Sequence, residues 1–222
     1  MSFLDEKVIA GLVAITDFKL APKLVGDLAQ HCDFMVLRLD ERVGDKRIFD
    51  RCVKEAKKRA EIVVPYSEDI EYNEWNWRES LVRRLDNLRP DYVLFPDQDE
   101  QFGKGLVDDL EVFQHSMANQ LEFFYTMETK DGAKVPLYPH DRHCKVFRWM
   151  PGINYQPYRS FARPNHPNNG HGMLAKSRIH HYCFWDKECR ADKRLQGYIK
   201  WQDKTIYDCV NKKLLKVLPE LA

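Results

Sequence analysis

Opposite charges nearly cancel in this chain of 222 residues, leaving a formal net charge of +1. Such a balance excludes a protein that holds nucleic acid by bulk charge, although it leaves room for a local basic groove. No run approaches the roughly 18 uncharged apolar residues needed to span a bilayer, so no membrane insertion is expected. Met1 to Lys7 lacks the basic-then-apolar order of a secretion signal. The six cysteines form no Cys-x-x-Cys pair. Cys183, Cys189, His180 and His181 match no standard zinc-finger spacing. Reduced thiols and a cytoplasmic location are therefore expected. Repeats and low-complexity tracts are also missing, and one domain over residues 1–222 is expected from the length.

What is present is a strand and helix alternation. Val8 to Ile15 is an apolar run rich in branched residues and reads as a buried strand. Pro22 opens a helix carrying Leu24, Val25, Leu28 and Cys32 at helical spacing. Phe34 to Leu37 predicts a second strand, Phe49 to Ala56 a second helix, and Ile62 to Pro65 a third strand. Trp77 to Leu88 then predicts a helix and Tyr92 to Phe95 a fourth strand. Strands separated by helices of ten to fifteen residues imply right-handed crossovers and a mostly parallel α/β sheet with flanking helices. Ligands of such sheets bind beyond the carboxyl ends of the strands. Asp17, Asp40, Ser67 and Asp97 are all expected there.

After residue 104 the pattern changes. Leu106, Leu110, Phe113, Met117 and Leu121 predict one amphipathic helix. Strands follow at Leu121 to Met127 and Lys145 to Trp149. Residues 150–172 read as long loops, and Asp186 to Lys200 as a charged helix. The division is thus a ligand-binding half, 1–104, and a loop-rich half, 105–222, suited to an acceptor.

Asp97-Gln98-Asp99 carries the chemistry. Residues two apart in extended chain point to one side, so two carboxylates can converge on a hard cation, Mg2+ or Mn2+, that also binds phosphate.

The order of four segments resembles the GT-A nucleotide-sugar transferases and is similar to the family-two inverting glycosyltransferases. They are the opening unit ending at Leu39-Asp40-Glu41, the Asp97-Gln98-Asp99 triplet, the strand and Pro-Gly loop from Val146 to Gly152, and Ile179-His180-His181-Tyr182. The resemblance implies a GT-A fold and a metal-dependent transfer from a nucleotide-sugar donor, with UDP expected from family frequency. It implies Asp99 as the main metal ligand and His181 as a second. Asp97 would contact the ribose or the metal, and Asp40 the base. Arg78 would lie near the donor, while Arg148 and Lys145 are candidates for phosphate contact. The family's catalytic base has no counterpart in Asn154 to Ser160. Asp141, His166 and His171 are nearby in sequence, and nothing chooses among them or fixes inversion.

Two other readings share the scaffold. A sugar-phosphate nucleotidylyltransferase would carry a Gly-rich loop after the first strand, which Ala14 to Phe18 lacks. A catalytically silent nucleotide or nucleic-acid binder could use the aromatic and basic stretch from Arg148 to Arg163. The same stretch could present a DNA base as the acceptor.

Overall fold

The opening apolar run becomes β1 (Ile9–Ile15), buried at every position. A strand covered on both faces has no need of polar alternation, which is why it reads as a continuous apolar segment. The computed structural model describes residues 7–69, 74–129, 134–136, 142–158, 161–165 and 171–184. The expected helix at 186–200, Cys189, Asp141 and His166 lie outside them.

The chain continues through α1 (Ala21–Ala29), β2 (Phe34–Asp40), α2 (Lys46–Ala56), β3 (Ile62–Glu68), α3 (Glu74–Val82) and β4 (Tyr92–Leu94). Pro22 stands in the first turn of α1, where a missing N–H costs nothing. Asp45 caps α2 by accepting from the Arg47 and Ile48 amides. Pro65 is tolerated because β3 is the outermost strand. One 3-10 turn, Arg83–Leu85, closes α3.

Further along come β5 (Glu100–Phe102), α4 (Leu106–Gln114), β6 (Gln120–Thr129), β7 (Lys134–Pro136), β8 (Arg142–Arg148), β9 (Asn154–Tyr158), β10 (Phe161–Asn165) and β11 (Gly172–Phe184). The main sheet runs β3-β2-β1-β4-β8-β6-β11-β5, with β7 paired to β6. Pairing is parallel from β3 through β4. Beyond β4, β8 is antiparallel to both neighbours, while β6 and β11 pair in parallel. The fold is α/β, as the sequence pattern implies.

One apolar core, on the face of α1, α2 and α4, includes Val13, Leu24, Phe49, Phe113 and Ile179. The opposite core joins α3 to β9 through Leu81, Leu85, Phe95, Phe147 and Tyr155. β9 and β10 form a separate two-stranded antiparallel sheet. These strands stand within the stretch 150–172, expected as long loops. Their entry is a tight turn in which Ile153 N–H donates to Met150 O and Gly152 adopts φ 83°. Pro151 before Gly152 is the pairing such a turn favours.

The helix expected to run on to Leu121 instead stops at Gln114. Met117 is 96% exposed and Leu121 belongs to β6. The reason is tertiary. The Arg148 guanidinium donates to Phe113 O (2.8 Å), Gln114 O (3.1 Å) and Ser116 O (3.2 Å). Carbonyls that a further turn would have satisfied are taken by one side chain. Among the described residues, no helix is long and apolar enough to cross a membrane.

Candidate functional site

β1 has β2 on one side and β4 on the other, so the chain direction around the sheet reverses there. That crevice at the carboxyl ends is where open α/β sheets place ligands. Asp97-Gln98-Asp99 fills it. Gln98 ties the triplet to β1, its Oε1 accepting from Thr16 N–H at 2.8 Å and its amide donating to Thr16 Oγ1. Asp97 and Glu100 close a turn on each other: Glu100 N–H donates to Asp97 O (3.0 Å), and Asp97 N–H to Glu100 Oε2 (2.7 Å).

After that turn the chain passes over the ends of β8 and β6 and pairs, as β5, with the outer side of β11. Gly103 permits the approach, since a Cβ there would stand 2.7 Å from Arg178 O. The crossing sets Asp99 against β11. Tyr182 N–H donates to Asp99 O (2.8 Å), and His181 Nε2 is 3.4 Å from Asp99 Oδ2. Both side chains are buried.

Asp97 faces two cations. Arg78 Nη2 lies 2.8 Å from Oδ1 and 3.2 Å from Oδ2, and Lys145 Nζ is 2.9 Å from Oδ2. Lys145 also lies 2.9 Å from Glu100 Oε2, in a pair whose side chains are 3% and 1% exposed. Tyr125 of β6 donates its hydroxyl to Glu100 Oε1. Its ring stacks on His143 at 4.3 Å between centroids and meets His181 edge-on at 5.1 Å. Arg78 is wrapped by the Trp77, Phe95 and Tyr155 rings. Burial opposes ionisation of Asp97, but Arg78 and Lys145 hold its carboxyl well below the usual carboxylate range. Burial likewise acts to lower the Lys145 ammonium, and Asp97 and Glu100 outweigh it and raise it.

The structure thus brings together five of the seven residues given a role in the sequence: Arg78, Asp97, Asp99, Lys145 and His181. Asp40 ends β2 on the same edge, where its Oδ1 accepts from Arg42 N–H (3.1 Å), the local bond of a turn-forming aspartate. Arg148 is placed elsewhere. It pairs with Tyr92 at the start of β4, and its donors serve Tyr92 Oη, Ala118 O and the end of α4. The phosphate contact expected of it gives way to a structural role at the opposite edge. His171 also sits at that edge, its carbonyl accepting from Asn119 and Gln120. It is separated from His181 by ten residues, roughly 30 Å of strand. Glu100 and Tyr125 were not singled out. The only sequence signal for Glu100 was a fourth polar residue directly after the triplet.

Among the described residues, no group of three or more His, Cys, Asp or Glu side chains converges on one point. Asp99 and His181 make a pair of donors. Their spacing is close to the roughly 3 Å between neighbouring ligands of one ion.

No family model matches the chain, and no curated protein matches it. Among solved structures it is similar to S. aureus TarS 1-349, with 16% identity and a TM-score of 0.44 over 64% of this chain and 47% of that one. The same TarS segment in complex with UDP-GlcNAc gives 18% identity and 0.41 over 59% and 37%. HddC from Yersinia pseudotuberculosis gives 10% and 0.43 over 90% and 99%. The chain spans less than half the length of the two TarS chains. At these values the likeness concerns the path of the backbone.

Proposed function

We propose that this chain is a metal-dependent glycosyltransferase that takes its sugar from a nucleoside-diphosphate donor, UDP-sugar in the first instance, and delivers it to an acceptor hydroxyl. One observation carries the reading. An Asp-X-Asp triplet lies at the switch point of the sheet, one carboxylate clamped between two buried cations and the other facing a histidine.

Breaking a sugar-diphosphate bond leaves negative charge on the departing phosphates. Charges fixed in a water-poor site stabilise that charge without reorganising. Arg78 and Lys145 supply two such charges, held in place by Asp97 and Glu100. Asp99 and His181 would hold one divalent ion, which when bound would supply Lewis acidity to the leaving group. An oxygen and imidazole pair suits manganese better than magnesium. The Tyr125 ring meets His181 edge-on and the Tyr182 N–H holds the Asp99 carbonyl, and both donors are buried, so little water reaches the pair.

The test is calorimetric titration of UDP, with GDP for comparison, with and without manganese, on wild type and Asp99→Ala. Manganese-dependent binding of one nucleotide, lost in the variant, is expected. A folded protein that binds neither nucleotide under any condition would refute the transferase reading.

A further inference from the structure

An irregularity in β11 decides which of its residues faces Asp99. At the start of the strand, Gly172, Met173 and Leu174 pair with Gln120, Leu121 and Glu122 of β6. Arg178, four residues beyond Leu174, pairs with Phe124, only two beyond Glu122. Ile179, His180 and His181 then follow in step with Tyr125, Thr126 and Met127. Over this stretch β11 holds two residues more than β6. A bulge of this kind takes backbone groups off the ladder, and those groups need partners elsewhere. Because the excess is two, the side chains beyond it keep their face of the sheet and only the register moves. Without the bulge, the register of the first part would set Ile179 opposite Met127, where His181 stands. An isoleucine there offers no atom to a metal.

The amides that leave the ladder are held by one side chain. Asp109, in α4, is 4% exposed. Its Oδ1 accepts from Lys176 N–H (2.8 Å) and its Oδ2 from Ser177 N–H (2.9 Å). Each carboxylate oxygen thus serves one amide, in bonds of the charge-assisted, stronger kind. An asparagine would turn its NH2 group toward one of the two N–H groups. The loop before α4 brings the helix this close. Gly103 N–H donates to Arg178 O at 2.8 Å, and a Cβ at Gly105 would stand 3.2 Å from Ser177 Cβ. The segment from Asp99 to Asp109 therefore grips β11 on both sides of His181. Asp99 O takes Tyr182 N–H, and the Asp109 carboxylate takes Lys176 and Ser177 N–H.

We infer that Asp109 is a positioning residue for the metal pair: by holding the bulge of β11, it sets the register that brings His181 to Asp99. This rests on the reading of Asp99 and His181 as metal ligands given above.

The experiment is a manganese titration of the full chain, followed by loss of the free-ion electron paramagnetic resonance signal, on wild type, Asp109→Asn and Arg148→Ala. Asp109→Asn is expected to bind manganese about 10–100-fold more weakly than wild type, the loss typical when the support of a metal ligand is removed. Arg148→Ala, weakened at the opposite edge of the sheet, is expected to bind as wild type does, which separates positioning from a general loss of stability. With cobalt as the probe, the visible absorption band is expected to change shape in Asp109→Asn and not in Arg148→Ala. Unchanged manganese affinity in Asp109→Asn, or an equal loss in Arg148→Ala, would overturn the inference and leave the metal pair standing. Absence of manganese binding by wild type would overturn the metal reading and this inference with it. Should Asp109→Asn not fold, amide exchange on wild type decides. Saturating manganese is expected to slow exchange at Lys176 and Ser177 at least about tenfold, because release of the bulge would cost the bound ion. Unchanged exchange at those two amides would overturn the inference.

Discussion

Removing the Lys145 ammonium tests how the site is held. Lys145→Met keeps the stem and its packing but strips the cation from between Asp97 and Glu100. Glu100 retains the Asp97 amide and the Tyr125 hydroxyl as donors, yet its charge is then buried with no counter-ion. Breaking a buried pair from one side costs about 3–5 kcal/mol, which in a chain of this size lowers Tm by about 6–20 °C. Glu100→Gln alone leaves Lys145 with Asp97 and should cost about 1–3 kcal/mol. Because Lys145→Met and Glu100→Gln remove the same pair, the double variant should be more stable than the sum by about 1–3 kcal/mol. Urea unfolding with a constant m-value measures all three. Costs that add within about 0.5 kcal/mol, or a Lys145→Met variant as stable as wild type, would refute the argument that this ion pair organises the site.

The same groups set the pH response. Asp97 is depressed, so its contribution is complete above the ordinary carboxylate value of 3.8 and fades as pH falls through its lower folded value. Lys145 is raised, so its contribution is complete below 10.5 and is lost as pH climbs past its higher folded value. Stability followed by circular dichroism should therefore fall at both extremes, and Lys145→Met should flatten the alkaline limb. Arg148→Ala should cost about 1.5–3 kcal/mol through the lost carbonyl bonds at the end of α4. Nucleotide affinity, measured by calorimetry, should be unchanged; a large loss of affinity in a folded variant would contradict the structural role.

The parallel half of the sheet was legible because local rules suffice there. β1, β2 and β4 are covered on both faces and read as apolar runs, and α1 and α2 show helical spacing, although Cys32, expected on the first helix, lies beyond the end of α1 at Ala29. The error at α4 has a different origin. Met117 and Leu121 fall at helical spacing from Phe113, but the helix is ended by Arg148, some thirty residues further on. β9 and β10 were hidden by prolines, which a two-stranded sheet with free edges accepts. In the site, Asp97, Asp99 and His181 were readable from type and spacing. Glu100 and Tyr125 were not, because their roles depend on β4, β8 and β6 lying side by side. Strand alternation could not have separated Lys145 from Arg148, because the pairing of β6 with β8 slips by one residue at Lys145. The first reaches Asp97 and the second reaches α4.

Charge then links the clamp to the proposed metal. With His181 neutral, as a metal ligand must be, Asp97, Asp99 and Glu100 contribute three negative charges against two positive ones from Arg78 and Lys145, so the protein alone leaves this crevice one unit negative. A nucleoside diphosphate would meet repulsion there. A divalent ion held by Asp99 and His181 would reverse the sign to one unit positive, so that a diphosphate could approach a site whose cations are already oriented. The expected order is therefore metal before nucleotide, or the two together. It follows that Asp97→Asn, which removes one negative charge and loosens the clamp, should weaken the dependence of nucleotide binding on manganese. Asp99→Ala should abolish it. A variant pair in which both substitutions alter manganese dependence identically would mean that Asp97 is itself a metal ligand, not the holder of Arg78 and Lys145.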